Sequence, residues 1–248
     1  MQGIVLTSQI PLRTERSHSS EMISQLLFGE TYTVLEKVDN WLSIKTDYDA
    51  YSGWINCLSH SELKLYEDKN TEILKSKYAI ISDQEGRTIF LSAGSVIGKT
   101  DEQDNFTING NKYHFLFKDV ILNYSKLTDI AKSFIGLPYL WGGRTIMGFD
   151  CSGFTQVIFK IAGEMQLARD ASEQVKTGKT VSIMQEAHDG DLAFFGDEDT
   201  ITHVGIIIDH DKIIHCSGEV KVNFIDNTGI FDGEKYTHFL RTIKSFQQ

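Results

Sequence analysis

The sequence predicts an α+β fold with a β-rich first half, and three observations predict it. Up to about residue 120, short runs rich in β-branched and aromatic residues alternate with turn residues. Those strand-like runs recur at roughly ten-residue intervals, the spacing of small barrels or sandwiches. Beyond that point a few short helical patterns are followed by strands alone, an order that points to α+β rather than alternating α/β.

Taken along the chain, residues 31–36, the Asp39 and Asn40 turn, and residues 41–46 read as a hairpin, with 51–56 as a further strand. A second set comprises 78–82, 88–91, 106–108, the turn Asn109-Gly110-Asn111, and 112–117. The two sets, 1–65 and 66–122, are each the size of one small β-barrel, and residues 123–248 form a third domain. There, 127–135 reads as a helix stopped by Gly136 and Pro138. The next helix starts at Cys151. Phe154, Val157, Ile158 and Ile161 fall at i, i+3, i+4 and i+7, Asp150 or Ser152 serves as N-cap, and Gly163 ends the run. Residues 171–177 read as another short helix. Strands follow at 191–195, 203–209, 212–216 and 238–243, with a tight turn at Asp209-His210-Asp211.

The chain of 248 residues has a formal net charge of −10. That balance argues against nucleic acid, anionic membranes or wall polymers as main partners, and leaves room for a small, partly cationic substrate. Three cysteines at wide spacing make no disulfide framework. Residues 1–12 lack a basic segment followed by a long apolar core, and no apolar run approaches the ~18 residues of a membrane span. A cytoplasmic monomer with reduced cysteines is the expectation.

Cys151 carries the chemistry. The first turn of a helix exposes unpaired N–H groups and partial positive charge, which favours the thiolate. A thiol nucleophile needs a base, and the base an orienting group. His203 opens an apolar strand and His215 lies near the end of the next. Pairing around Asp209 or His210 sets residue 215 opposite 204 or 205, so a bulge makes the two histidines neighbours. That is the logic of thiol hydrolases, with His203 as base and His215 orienting it. Cys57 and Cys216 read as small buried hydrophobes. His18, His60, His114, His188, His210 and His238 lie in polar or turn-like surroundings and read as solvated. A zinc site from Cys151, His203, His215 and Cys216 has no supporting C-x-x-C or H-x-x-x-H spacing.

Five blocks over 124–248 resemble the NlpC/P60 family of cell-wall cysteine peptidases: LPYLWGGR (137–144), FDCSGF (149–154), GDLAFF (190–195), HVGI (203–206) and IHCS (214–217). The resemblance implies a papain-like core with Cys151 as nucleophile, His203 as base, His215 as the third residue and no cofactor or metal. It also implies that Tyr139 helps stabilise the oxyanion; a phenol and a backbone N–H at a helix start are both suited to that. The first half, through residues 20–30, Asn40-Trp41 and YSGWI (51–55), resembles the bacterial SH3-like domain found ahead of NlpC/P60 domains in γ-D-glutamyl-L-diamino acid endopeptidases. Residues 66–122 are taken as a second, divergent SH3-like barrel.

In that subgroup the SH3-like domain borders the active site. The resemblance then implies that Tyr51, Asp150, Ser152 and Asp170 bind the free amine and nearby peptide groups of a small muropeptide, with Glu21 or Glu15 as a further carboxylate. A cationic amine needs acceptors, so carboxylates suit it. The plain alternatives are an N-cap for Asp150, a loop carboxylate or cap for Asp170, and a packed aromatic for Tyr51 and Tyr139. Two rival functions stand beside this one: an exported hydrolase of intact wall, and a non-catalytic wall- or peptide-binding protein.

Overall fold

The computed structural model describes residues 1–64, 70–120 and 126–246. The chain divides into two compact units, Met1–Asn123 with Arg144–Ile146, and Tyr124–Gly143 with Met147–Gln248. The boundaries expected near 65 and 122 fall outside the described residues.

In the N-terminal unit, β1 (Gln2–Ile4), β2 (Gln9–Arg13), β3 (Met22–Leu27), β4 (Thr31–Val38), β5 (Trp41–Thr46), β6 (Ser52–Asn56) and β7 (Ser61–Glu62) form one sheet in the order β3-β2-β6-β5-β4-β1-β7. The expected hairpin is β4–β5, with Val38 opposite Trp41 and Asp39 at φ 51° in the turn. The second set is β8 (Thr71–Ile73), β9 (Tyr78–Asp83), β10 (Thr88–Ser92), β11 (Val96–Gly98), β12 (Asn105–Ile108) and β13 (Asn111–Lys118). It forms a sheet in the order β10-β9-β13-β12 and a separate pair, β11-β8. Asn109 and Gly110, both at positive φ, make the two-residue turn between β12 and β13; such turns match the right-handed twist of the strands they join.

Each set has its own apolar core. Ile10, Leu12, Leu26, Leu42, Ile44 and Ile55 fill the first. The second gathers Ile81, Leu91, Phe106, Tyr113 and Phe115, and also takes in Ile4 and Phe28 from the first set. Gly29, next to Phe28, has φ 78°, and a Cβ there would lie 1.9 Å from the Val96 carbonyl oxygen. The two sets therefore share apolar contact at a point where only glycine fits.

The second unit begins with α1 (Leu127–Lys132), shorter than expected because residues 133–136 turn off the helix axis and Gly136 takes φ 88°. Two short strands follow, β14 (Arg144–Thr145), in the segment grouped with the N-terminal unit, and β15 (Gly148–Phe149). Next come α2 (Cys151–Ala162) and α3 (Ala171–Gln174), then β16 (Lys179–Val181), β17 (Leu192–Gly196), β18 (Ile201–Asp209), β19 (Lys212–Ser217), β20 (Glu219–Ile225), β21 (Gly229–Phe231) and β22 (Tyr236–Ser245). The sheet order is β16-β22-β17-β18-β19-β20-β21, and β21 also pairs with β22, so six strands close into a ring with β16 outside it.

Ala193, Phe195, Ile207, Ile213, Ile230 and Ile243 form an apolar cluster of this sheet. Helix α2 packs on β18 and β19, with α1 against α2. The predicted stripe of α2 is fully buried, but Phe159 and Lys160 are buried too, so the helix is enclosed on nearly all sides. Burying each large apolar side chain stabilises by about 1.5–3 kcal/mol. That places the start of α2, and Cys151 with it, against a rigid sheet. Among the described residues no helix is long and apolar enough to cross a membrane.

Candidate active site

The start of α2 is built around Asp150. Its extended backbone (φ −89°, ψ 178°) makes it the N-cap, and its Oδ1 accepts from the Gly153 N–H at 2.6 Å. Arg169 donates to the same carboxylate through Nη1 (3.1 Å) and Nη2 (2.5 Å), and Gly142 N–H donates to Oδ2 at 3.0 Å. Ser152 Oγ donates to Asp150 Oδ1 at 3.3 Å and accepts from Arg169 Nη1 at 3.0 Å. Gln174 Nε2 ties the Ser152 carbonyl at 3.1 Å. On the preceding residue, the Cys216 thiol donates to the Phe149 carbonyl at 3.1 Å. Cys151 thus sits on backbone held from both sides.

The amine-binding role implied for Asp150 and Ser152 meets a physical objection. Five donors already reach the Asp150 carboxylate, which has about four lone-pair sites. Both side chains are buried and engaged with each other, with Arg169 and with the helix start. Arg169 is a residue that the sequence reading misses; its one local signal is its place next to Asp170.

His203 and His215 are brought together by the β18–β19 hairpin. Gly205 pairs with His215, and the register shifts between Ile207 and Asp209. His203 Nε2 lies 2.8 Å from His215 Nδ1, and His215 Nε2 lies 3.0 Å from Asn223 Oδ1 on β20. A Cβ at Gly205 would stand 2.9 Å from the His215 Cβ, so the small residue leaves room for the imidazole. His238, read as solvated, is instead half-buried on β22 and stacks on His203 with ring centroids 4.1 Å apart. Val204, next to His203, directs its backbone N–H at the Cys151 sulfur. His203 spends Nε2 on His215, so Nδ1 is the nitrogen available to a thiol proton.

Burial governs the charges. It pushes the Cys151 thiol up to about 11, helped by the Asp150 charge and opposed by the Val204 N–H and Arg169. It holds His203 well below the ordinary histidine range, with His215, His238 and Lys221 acting in the same direction. His215 is pushed down to about 4 by burial, against the effect of its bond to Asn223. The helix start alone favours a thiolate; in the structure desolvation acts in the opposite direction on both groups, towards the thiol and the neutral imidazole. Tyr139 is raised to about 12, by burial first and then by Cys151, so it stays a phenol donor at working pH.

Asp170 takes the N-cap position of α3 and is half-buried. Tyr51 packs on the first core of the N-terminal unit, and Glu21 is exposed just before β3 of that unit. Cys216 is fully buried and Cys57 half-buried. Among the described residues no set of three His, Cys, Asp or Glu side chains is disposed to hold a metal ion.

A thiol at a helix start, beside a strand carrying an imidazole that a second imidazole orients, defines a cysteine hydrolase of papain-like α+β architecture. Comparison with known proteins gives the family. Residues 136–241 match the NlpC/P60 family, and residues 12–57 match the bacterial dipeptidyl-peptidase Sh3 domain. The chain is 31% identical over 212 residues to the γ-D-glutamyl-L-lysine dipeptidyl-peptidase of Bacillus subtilis (strain 168), covering 77% of this chain and 71% of that one. It is 24% identical to dipeptidyl-peptidase 6 of Lysinibacillus sphaericus, over 91% of this chain and 92% of the relative. The crystal structure of an NlpC/P60 family protein from Bacillus cereus ATCC 10987 superposes with a TM-score of 0.83 at 19% identity, covering 99% of both chains. The chain belongs to the NlpC/P60 family and is a cysteine peptidase.

Proposed function

We propose that this enzyme acts on small cell-wall peptides during their recycling. It would hydrolyse the bond between the γ-carboxyl of D-glutamate and the amine of the following diamino acid, in substrates with a free N-terminal L-Ala. The observation that carries this reading is the extent of the likeness to the B. subtilis γ-D-glutamyl-L-lysine dipeptidyl-peptidase: 77% of the chain. An alignment that long cannot be confined to the catalytic segment at 136–241.

In this reading His203 Nδ1 takes the Cys151 proton as the sulfur attacks the γ-carbonyl carbon. The Cys151 backbone N–H and the Tyr139 hydroxyl hold the developing oxyanion. The C–N bond breaks, His203 returns the proton to the leaving amine of the diamino acid, and a thioester remains. Water, deprotonated by His203, then releases L-Ala-γ-D-Glu and the thiol. Asp170 is the acceptor for the substrate's ammonium. Tyr51 and Glu21 are retained as specificity residues on the family resemblance alone.

The test is to incubate the protein with L-Ala-γ-D-Glu-L-Lys, free and N-acetylated, and identify products by mass. The free peptide should yield L-Ala-γ-D-Glu and lysine. Acetylation removes a charge-assisted hydrogen bond, so cleavage should fall by about 1.5–3 kcal/mol, or roughly 10–150-fold. Asp170→Ala should depress the free peptide and leave the acetylated one nearly unchanged. Equal cleavage of both peptides by the wild type would sink the proposal and favour a hydrolase of intact wall.

A further inference from the structure

His203 and His215 form a linear arrangement that does not end at His215. Its outer nitrogen, Nε2, lies 3.0 Å from the Asn223 Oδ1, a side chain on the neighbouring strand β20. In the β19–β20 ladder Lys221 pairs with His215 and Asn223 pairs with Ile213. Asn223 is thus two residues along from the direct partner of His215, on the same face as Lys221, and reaches the imidazole diagonally. It is half-buried, in a strand otherwise alternating between valines or phenylalanine and polar residues.

The direction of the hydrogen bonds decides the chemistry. A carbonyl oxygen only accepts, so Asn223 Oδ1 places the His215 proton on Nε2. A neutral His215 then has Nδ1 as an acceptor, and at 2.8 Å it takes the proton carried by His203 Nε2. A neutral His203 with its proton on Nε2 presents a bare Nδ1, the form that can accept a proton from a thiol. Turning the amide of Asn223 round reverses every step. Its NH₂ would donate to His215 Nε2, both imidazoles would carry the proton on Nδ1, and His203 would offer the thiol an N–H instead of a lone pair.

We propose that Asn223 is a positioning residue of this active site: its side-chain oxygen fixes the tautomer of His215, and through it the tautomer of His203, so that Nδ1 of His203 faces the reaction as a base. The proposal deepens the reading of Cys151 and His203 given above and rests on it. Lys221, the direct cross-strand partner of His215, cannot do this work, because an ammonium only donates and would enforce the opposite tautomer.

The test combines kinetics with the ¹⁵N resonances of the full-length, histidine-labelled protein. In the wild type both His203 and His215 should carry the proton on Nε2. Asn223→Leu, close in shape and unable to accept, should lower kcat roughly 10–100-fold, by analogy with the loss of outer-shell partners that orient metal-bound histidines, with KM little changed. The same variant should show His215 with Nδ1 protonated or with both tautomers populated. Asn223→Asp keeps an acceptor in place and should restore most of kcat and the Nε2–H tautomer. Wild-type His215 protonated on Nδ1 would overturn the proposal however the variants fold. So would a Leu variant with undiminished kcat, or one with reduced kcat in which both tautomers are unchanged. A Cys151→Ala protein that still turns over would instead strike the underlying cysteine-peptidase reading, so the two failures are distinguishable.

Discussion

Two arginine–carboxylate pairs are buried in this protein, one in each unit, and they do different work. In the N-terminal unit Arg144 donates to Glu30 through both terminal nitrogens at 2.9 Å, and also to the Gln25 carbonyl at 2.7 Å. In the second unit Arg169 grips Asp150 in the same two-pronged way. Side-chain exposures are 2% and 4% for the first pair and 1% and 9% for the second. The geometry and desolvation are alike. What differs is where the carboxylate spends its other acceptor capacity. Glu30 turns to the Leu27 N–H and shapes the turn after β3. Asp150 turns to Gly142, Ser152 and Gly153 and shapes the backbone that carries Cys151. The Asp150 charge raises the Cys151 pKa and Arg169 lowers it, so the pair fixes the helix start while the two charges act in opposite directions at the sulfur.

The largest effect that sharpens this contrast lies beside the second pair. His203→Ala should lower kcat by roughly 10²–10⁴, the range for loss of a general base, with the Arg169–Asp150 pair intact and a fall in melting temperature too small to unfold the protein at the assay temperature. Steady-state kinetics and a melting curve on the same sample check it; a small kcat loss would mean that another group serves Cys151. Next come Arg144→Met and Arg169→Met. Each strands a buried carboxylate and should destabilise by about 3–5 kcal/mol in denaturant titrations. Only Arg169→Met should also reduce kcat under conditions where both variants remain folded. Equal kcat loss in the two variants would erase the distinction between the two pairs.

A pH titration separates the units more finely. His215 is held down to about 4, from an ordinary value near 6.5, so the unfolded chain binds its proton first as pH falls. Stability from this site is complete above pH 6.5, declines as pH drops toward 4, and is level below; the loss from His215 alone is at most about 3 kcal/mol. His203 shifts in the same direction and adds to it. Hydrogen exchange read unit by unit should show this decline in the second unit, and His215→Gln should lessen it, leaving the part due to His203. The smallest effect expected is that of Cys216→Ala. It removes one weak thiol donor and a small buried volume, costs about 1 kcal/mol, and leaves most of kcat.

Local pattern made much of the second unit legible. The FDCSG run reads as a helix start, and Asp150 and Gly163 cap α2 at its two ends. Pairing around residues 209–211 puts 215 opposite 204 or 205, and the observed partner is Gly205. Long-range pairing stayed illegible. His238 meets His203 from β22, a strand far along the chain, and Asn223 looks like any polar residue on a half-exposed strand. In the first unit β2 runs through Pro11, a residue that argues against a strand, and β3 buries the adjacent polar residues Ser24 and Gln25. Gln25 is buried because it accepts from the Arg144 backbone N–H, from a residue 119 positions away. No local rule reads such a partner.

The closed ring of strands has one more consequence. His203, His215 and Asn223 stand on β18, β19 and β20, each hydrogen-bonded to a neighbour on both sides. A strand at an open edge can peel away alone and offers its backbone to other chains. None of these three can, so releasing any one of them from the sheet breaks two ladders at once. Their amides should exchange only through opening of the ring as a cooperative unit. These three side chains ride on the part of the domain least given to fraying, and lateral addition of a foreign strand is left to β16, outside the ring.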